Sequence, residues 1–214
     1  MGLSKKHKGL ILDPLSDNNP VTIQVLGICS ALAITAQIKP SIIMAISVIF
    51  VLGLGNVVIS LMRNIIPSKI RIIVQLIVVA TLVIIVDQVL KAYQYQLSKE
   101  LGAFIGLIIT NCIIMGRFEA FALANKPWPS FLDGIGNAAG YGVLLVIVAF
   151  FRELLGAGTL LGFQVFGDPI EKTGLYALGY ENNGFMVLSP MALIVVGIII
   201  WVQRSKNPAL VEDH

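Results

Sequence analysis

The sequence GLIITNCIIMGRFEAFA, residues 106–122, decides the fold of this chain. Its first half is apolar enough for a membrane, but Thr110, Asn111 and Cys112 then follow as three polar or soft groups in a row. Hydrocarbon contains no water, so each of these groups needs a hydrogen-bond partner there or serves a function that offsets the cost of burying it. The second cysteine of the chain, Cys29, also lies in an apolar run. The pair indicates a site built from two thiols inside a membrane.

The composition indicates an integral membrane protein. The chain has 214 residues, of which 57% are hydrophobic and 13% charged, and its mean hydropathy is +0.88. Soluble domains usually carry about a quarter charged residues. The net charge of +3 does not indicate a nucleic-acid partner. Because both cysteines lie in apolar runs, a secreted disulfide scaffold is not predicted either.

Six apolar stretches predict an all-α membrane protein. A helix that crosses a membrane needs about 20 apolar residues. The stretches are residues 20–37, 41–62, 70–90, 102–123, 138–155 and 184–202. The connections are short except for residues 156–183, which are expected to form a folded external loop. Residues 1–214 are therefore predicted to form a single integral membrane domain.

The basic residues predict the orientation of the chain. With six crossings, ten of them fall on the side that holds both termini, and five fall on the other side. The ten are Lys5, Lys6, Lys8, Arg63, Lys69, Arg71, Arg117, Lys126, Arg204 and Lys206. Cytoplasmic loops carry an excess of Lys and Arg, so both termini are predicted to face the cytoplasm.

The two halves of the chain resemble each other. In the first half, Cys29 is followed 27 residues later by Asn56 of a Gly-x-Gly-Asn sequence, and in the second half Cys112 is followed 25 residues later by Asn137 of another. Three helices in each half place the second half in the opposite orientation. The sequence thus predicts inverted repeats over about 20–90 and 102–202, a design whose functional sites lie near mid-membrane at the repeat interface.

The two cysteines have more than one explanation. Each is consistent with a small buried hydrophobe, which cysteine often is, and a disulfide between them is also conceivable. Two thiolates without a nearby histidine instead suit an iron–sulfur cluster or a soft metal. A cluster usually needs four ligands, so a partner subunit of similar design would then supply the other two.

The neighbours of the cysteines are small or polar, namely Gly27, Ser30, Thr110 and Asn111. They are candidates to leave backbone amides free for hydrogen bonds to cluster sulfurs, which would break the first and fourth helices near the cysteines. Ordinary packing of helices through small residues explains the same pattern.

Several ionisable residues lie at the ends of predicted helices. Asp87 precedes Lys91 by four residues, which indicates a helix-end ion pair. The alternative is a carboxylate on a cation path, since ionisable groups at membrane depth are often functional. The remaining acidic and basic groups are interpreted as interfacial anchors and subunit contacts. These are Arg117, Glu119, Asp133, Arg152 and Glu153.

Residues 106–122, together with residues 17–20 and 26–33, resemble a known family. It comprises the D and E subunits of the sodium-translocating NADH:quinone oxidoreductase and the A and E subunits of the Rnf electron-transport complex. Residues 71–75 and 86–93 are most similar to the D branch of this family.

This resemblance implies an electron-relay subunit of an enzyme complex in the bacterial inner membrane. In the family, two homologous six-helix subunits pair in opposite orientations and share a [2Fe–2S] cluster, which two cysteines of each subunit bind. Cys29 and Cys112 match these positions, and a homologous E-type subunit would supply the other two. Electrons would pass through the cluster toward flavins across the membrane.

The resemblance also implies that this chain has no complete active site of its own. The complex would have six subunits, namely the D and E pair and the subunits A, B, C and F. The other subunits would bind NAD, FAD, FMN, riboflavin and ubiquinone. Two alternatives remain. One is a subunit of the Rnf complex, which works with ferredoxin and NAD; the other is a stand-alone inverted-repeat transporter or channel with structural cysteines.

Overall fold

The structure, a computed structural model, describes Pro14, Gly102 and residues 19–93, 106–156, 158–160, 163–164 and 184–206. Six α-helices lie in this part of the chain. They are α1 (Ile28–Ile34), α2 (Ile38–Met62), α3 (Arg71–Tyr93), α4 (Cys112–Arg117), α5 (Pro127–Gly156) and α6 (Ser189–Lys206). Short 3₁₀ helices at Ser68–Ile70 and Gly184–Val187 precede α3 and α6. The predicted helical class is confirmed in this part of the chain.

Three of these helices are long and apolar enough to cross a membrane. They are α2, residues Arg71–Ala92 of α3, and α5, whereas α6 contains a shorter apolar helix, Ser189–Ser205. The most hydrophobic window of α3 is only 17% buried, against 56% in α2 and 61% in α5. Because its backbone bonds are satisfied within the helix, such an apolar and exposed helix suits contact with lipid.

The first predicted crossing is not one continuous helix. Residues 20–24 form turns, and α1 begins at Ile28 and has seven residues. Val25 has a φ of 55° and Gly27 a φ of 79°, so the backbone is left-handed just before the helix begins. A right-handed helix over 20–37 cannot pass through these two positions. The predicted crossing over 20–37 therefore contains a helix in its second half, and its first half is not a helix.

The fourth predicted crossing also consists of pieces. Residues 106–109 are helical, Asn111 has an extended backbone with φ −68° and ψ 123°, and α4 begins at Cys112. A π-helix over Phe118–Ala122 then continues the chain. Single π turns of this kind often occur at functional sites.

The fifth helix begins 11 residues earlier than predicted, at Pro127 instead of residue 138. Gly134 lies in this additional part of α5, at a close contact between α5 and α2. A Cβ atom at this position would be 3.0 Å from the carbonyl oxygen of Leu52 and 3.3 Å from the Cα atom of Gly53. Gly134 and Gly53, the first glycines of the two Gly-x-Gly-Asn sequences, therefore meet at a close helix contact and do not form a loop.

We expect Gly134→Ala to destabilise the protein by about 1–3 kcal/mol, because backbone atoms of α2 cannot move aside for the new methyl group. Gly197→Ala in α6 is the matched control, since nothing lies within 4 Å of its added Cβ. The control should be neutral or slightly stabilising, as alanine favours a helix over glycine by about 1 kcal/mol. Thermal unfolding in detergent measures both, and equal midpoints would contradict the close contact.

The chain divides into two compact units. The first comprises residues 1–30 and 43–143, and the second comprises residues 31–42 and 144–214. Fully buried side chains of the first unit come from α2, α3, α4 and α5, for example Leu52, Val79, Ile113 and Tyr141. Those of the second unit include Leu145 and Val148 from α5 and Ala192 from α6. The predicted repeats stay a prediction.

Arg152 is buried within the second unit, with 1% exposure, and is not the interfacial anchor that the sequence predicts. Its guanidinium donates hydrogen bonds to neutral acceptors that converge on it from two segments, residues 32–35 and 186–188. The acceptors are the carbonyls of Leu32, Met186, Val187 and Leu188, at 2.7–3.4 Å, and Oγ1 of Thr35 at 2.6 Å. These bonds compensate for the loss of water around the buried charge.

Glu153 is also buried, with 5% exposure, and likewise is no interfacial anchor. Its Oε2 atom accepts a hydrogen bond of 2.6 Å from the backbone N–H of Ile38, the first residue of α2. Helix N-termini carry unpaired N–H groups and a positive partial charge, so a carboxylate stabilises this end of α2.

The predicted external loop begins with β structure. Strand β1 (Thr159–Leu160) pairs antiparallel with β2 (Phe163–Gln164), so that Thr159 lies opposite Gln164. This pair departs from the all-α expectation. Residues 165–183 of the predicted loop lie outside the described residues.

Candidate metal centre

Cys29 lies in the first turn of α1, and its side chain is exposed. The short helix follows directly on the left-handed Gly27, which is buried. A Cβ atom at Gly27 would be 2.9 Å from Cδ1 of Ile113 and 3.0 Å from Cε2 of Tyr141. Only glycine fits both the backbone conformation and the space at this position. The turn that presents Cys29 is therefore packed closely against the segment that follows Cys112.

Cys112 is the first residue of α4, and its side chain is also exposed. Asn111 is the N-cap of this helix, and its Oδ1 accepts a hydrogen bond of 3.2 Å from the backbone N–H of Ile113. Asparagine is among the best N-cap residues, because its side chain satisfies a backbone donor that the helix leaves open. Asn111 thus sets the start of α4 and with it the position of Cys112.

The two cysteine segments contact each other through the residues next to the thiols. The Nδ2 of Asn111 donates a hydrogen bond of 3.3 Å to Oγ of Ser30, and both residues are buried. Ser30 follows Cys29 in the chain, and Asn111 precedes Cys112. The structure therefore brings together two segments that are about eighty residues apart, and in each of them an exposed thiol lies beside a buried, hydrogen-bonded polar residue.

Tyr141 of α5 completes this polar cluster. Its hydroxyl lies 2.5 Å from Oγ of Ser30 and 3.5 Å from Nδ2 of Asn111, and its side chain is fully buried. Sequence reasoning missed this residue, which lies 111 positions after Ser30. The one local signal is a hydroxyl between Gly140 and Gly142 in an apolar run, because a buried tyrosine hydroxyl usually has a hydrogen-bond partner.

Three of the four predicted neighbours of the site, Gly27, Ser30 and Asn111, are thus brought together. The fourth, Thr110, is exposed, and its hydroxyl donates a hydrogen bond of 3.1 Å to the carbonyl of Gly106. The role of these four residues toward a bound cluster stays a prediction.

The thiols fit half of an iron–sulfur site. Sulfur is the ligand that iron–sulfur clusters use, and the chemistry of two exposed thiols beside one polar contact suits two of the four ligand positions of such a cluster. Among the described residues, no group of three or more His, Cys, Asp and Glu side chains could hold a metal ion. The two thiols are thus the soft donors that the described residues offer to such a group.

A buried ion pair holds α4 against α5. The guanidinium of Arg117 binds the carboxylate of Asp133 through two hydrogen bonds, of which the one from Nε to Oδ2 measures 3.0 Å. The side chains are 14% and 3% exposed, so these residues are not interfacial anchors. Asn137 donates a further bond of 3.1 Å to Oδ1 of Asp133, and the guanidinium lies 5.6 Å from the ring centroid of Phe121.

An open cavity of about 540 Å³ is lined by residues of α3 and α4, for example Gln75, Met115 and Gly116. Glu119 pairs there with Arg71, and Gln75 donates a hydrogen bond of 3.3 Å to Oε2 of Glu119. The Arg71 and Glu119 side chains are 34% and 51% exposed, in contrast to the buried pair. Glu119 is therefore the one member of the predicted anchors that is exposed in this chain.

Asp87 forms the predicted helix-end ion pair. Its Oδ2 accepts a bond of 2.6 Å from Nζ of Lys91, and its side chain is 14% exposed. The confirmed pair accounts for the position of this carboxylate near the end of α3.

Comparisons with known proteins agree with this arrangement. The model of a family described as "Rnf-Nqr subunit, membrane protein" matches residues 8–200. A protein of Pasteurella multocida, named as the D subunit of a Na(+)-translocating NADH-quinone reductase, is 53% identical over 99% of this chain and all of its own length. Proteins of the same name from Haemophilus influenzae (strain PittGG) and Photobacterium profundum are 54% and 50% identical. They cover 94% and 99% of this chain and 95% and 99% of their own lengths.

Proposed function

The chain belongs to the Rnf-Nqr family of membrane proteins, and from this we propose that it is the D-type subunit of a sodium-translocating NADH:quinone reductase. The resemblance read from the sequence is confirmed at the level of the family. The names of three relatives with half or more of their residues identical favour this assignment over an Rnf subunit. Sodium transport and NADH oxidation would be activities of the whole complex.

We propose further that Cys29 and Cys112 bind half of a [2Fe–2S] cluster shared with a homologous E-type subunit. The observation that carries this proposal is the exposure of both thiols beside the buried contact of Ser30 with Asn111. An exposed thiol in an apolar membrane segment gains nothing from lipid, whereas a partner surface with two more thiols would complete a four-sulfur site. When bound, the cluster would supply one-electron transfer across the membrane.

The residues of this chain would hold and shield that group. The left-handed turn at Gly27 and the N-cap at Asn111 interrupt helical structure just before each thiol. Non-helical backbone at membrane depth is tolerated where protein or a cavity surrounds it. This supports the proposal that the first and fourth helices are broken in order to present the cysteines.

The topology and the repeats belong to the same proposal. The chain would lie in the bacterial inner membrane with both termini in the cytoplasm, as the excess of basic residues on one side indicates. The close contact of Gly134 with Gly53 supports two inverted repeats, since these glycines occupy matching positions of the repeated sequence. For Asp87, a role on an ion path stays a proposal next to its ion pair with Lys91.

Co-expression tests the shared cluster. We expect the chain purified with its E-type partner to contain about two irons per pair and to give the electron paramagnetic resonance (EPR) signal of a reduced [2Fe–2S] cluster. Purified alone, the chain should contain no stoichiometric iron, because it offers two sulfur ligands. Iron bound equally well without the partner would contradict a shared site. If the chain is stable without its partner and contains no iron when purified alone or with the partner, the stand-alone transporter would be favoured.

A further inference from the structure

The buried hydroxyl of Tyr141 has a defined place in the hydrogen-bond network beside the two cysteines. Oγ of Ser30 donates its single proton to the carbonyl of Gly27, at 2.9 Å. In the contact of 2.5 Å between Ser30 and Tyr141, the tyrosine hydroxyl is therefore the donor and Oγ the acceptor. Asn111 donates to both hydroxyl oxygens, at 3.3 Å to Ser30 and 3.5 Å to Tyr141. Each proton of the cluster thus has one assigned acceptor.

From this network we propose that Tyr141 is a positioning residue that fixes the two cysteine segments relative to each other. The inference rests on the proposed function, in that the fixed segments carry the ligands of the shared cluster. Tyr141 belongs to α5, a long helix of which 61% of the most hydrophobic window is buried. The segments at Cys29 and Cys112 are short, and helices of six or seven residues are marginal by themselves. The hydroxyl of Tyr141, which the long helix holds in place, thus fixes both cysteine segments relative to α5.

Two substitutions distinguish a positioning role of the Tyr141 hydroxyl from simple packing of the Tyr141 ring. The ring contacts Gly27, where an added Cβ would be 3.0 Å from Cε2 of Tyr141. Tyr141→Phe keeps this ring contact and removes the hydroxyl, which donates to Ser30 and accepts the longer bond from Asn111. Ser30→Ala removes the Ser30–Tyr141 bond from its other end with little change in volume, together with the direct bond between Ser30 and Asn111. Polar networks in which every member is satisfied make a core rigid, so both variants should loosen the same contact.

The cysteines themselves provide the readout, because Cys29 and Cys112 are the two cysteines of the chain. Nitroxide labels on both exposed thiols report the distance between the two segments by pulsed EPR, with no cluster present. We expect a narrow distance distribution in the parent chain and loss of this narrow component in Tyr141→Phe and in Ser30→Ala. The double variant should add nothing further, since residues that share one interaction are not additive.

Ser47→Ala is the matched control. Ser47 is also a buried residue in a membrane helix, and its hydroxyl donates a hydrogen bond of 2.8 Å to the carbonyl of Ile43 in its own helix. This variant should keep the narrow distribution. If Tyr141→Phe and Ser30→Ala keep it as well, the hydroxyl does not position the segments and the proposal is overturned.

A second measurement links the network to the cluster. In the co-purified pair, we expect Tyr141→Phe to keep the iron content but to shift the g values and the midpoint potential of the cluster, while Ser47→Ala shifts neither. Unchanged g values and potential would overturn the role of Tyr141 toward the cluster. If the parent pair contains no iron, the proposed function fails, whereas the labelled chain still reports whether Tyr141 positions the two segments.

Discussion

With Cys29 or Cys112 changed to serine, we expect the co-purified pair of subunits to lose its cluster signal completely, and NADH-dependent quinone reduction by the whole complex to fall to background. A serine hydroxyl is a poor substitute for a thiolate at iron–sulfur centres, whose soft sulfur ligands define the site. Each single substitution leaves only three of the four ligands. Iron analysis and EPR of the reduced complex measure the loss directly.

Because both thiols are exposed, loss of the cluster can be distinguished from loss of the fold. Both side chains are exposed in the isolated chain, so replacement of sulfur by oxygen creates no cavity in its core. Surface substitutions usually change stability by less than about 0.5 kcal/mol, and the variants should therefore co-purify with their partner. Thr81→Ala in α3 serves as control, since this exposed hydroxyl donates a hydrogen bond of 2.9 Å to the carbonyl of Ile77 in its own helix. A signal retained in both cysteine variants would remove the ligand assignment.

The second large effect concerns the buried ion pair between α4 and α5. We expect Arg117→Met to destabilise the protein by about 3–5 kcal/mol, because it leaves the buried carboxylate of Asp133 without its counter-charge. Arg71→Met is the matched control at the exposed pair with Glu119, where the loss should be about 0–1 kcal/mol. The exposures of the acidic partners, 3% for Asp133 and 51% for Glu119, account for the contrast.

A double variant distinguishes loss of the pair from loss of packing. Arg117→Met combined with Asp133→Asn removes both charges and nearly keeps the volumes, and it should recover much of the stability that the single variant loses. Thermal or denaturant unfolding in detergent gives the three values. Equal losses in Arg117→Met and Arg71→Met would contradict the difference in burial on which this expectation depends.

The sequence predicts much of this architecture because membrane helices carry a strong local signal. Uninterrupted apolar residues locate α2 and α3 to within a few positions of the predicted ranges. The signature around Cys112 indicates the family, and the family model covers the same residues. The two Gly-x-Gly-Asn sequences indicate matching positions in the two halves, although the place of Gly134 inside α5 was not predicted.

The remaining features depend on contacts between distant residues. Asp133 and Asn137 are typical of a loop when read locally, yet they lie inside α5 because Arg117 neutralises the carboxylate. Arg152 is typical of an interface, but its partners are mostly backbone carbonyls, which have no sequence signal. The hydroxyl of Tyr141 belongs to the site through its bonds to Asn111 and Ser30, which lie 30 and 111 positions away in the chain. No local pattern reports such partners.

The bonds of Arg152 also have a consequence for how this protein tolerates changes in length. A Cβ at Gly156 would be 2.9 Å from Val187, and Arg152 binds the carbonyls of residues 186–188. The chain thus leaves α5 and returns to it at almost the same place. Because these two ends are held together, we expect an insertion or an affinity tag between them to leave the packing of α5 against residues 186–188 unchanged.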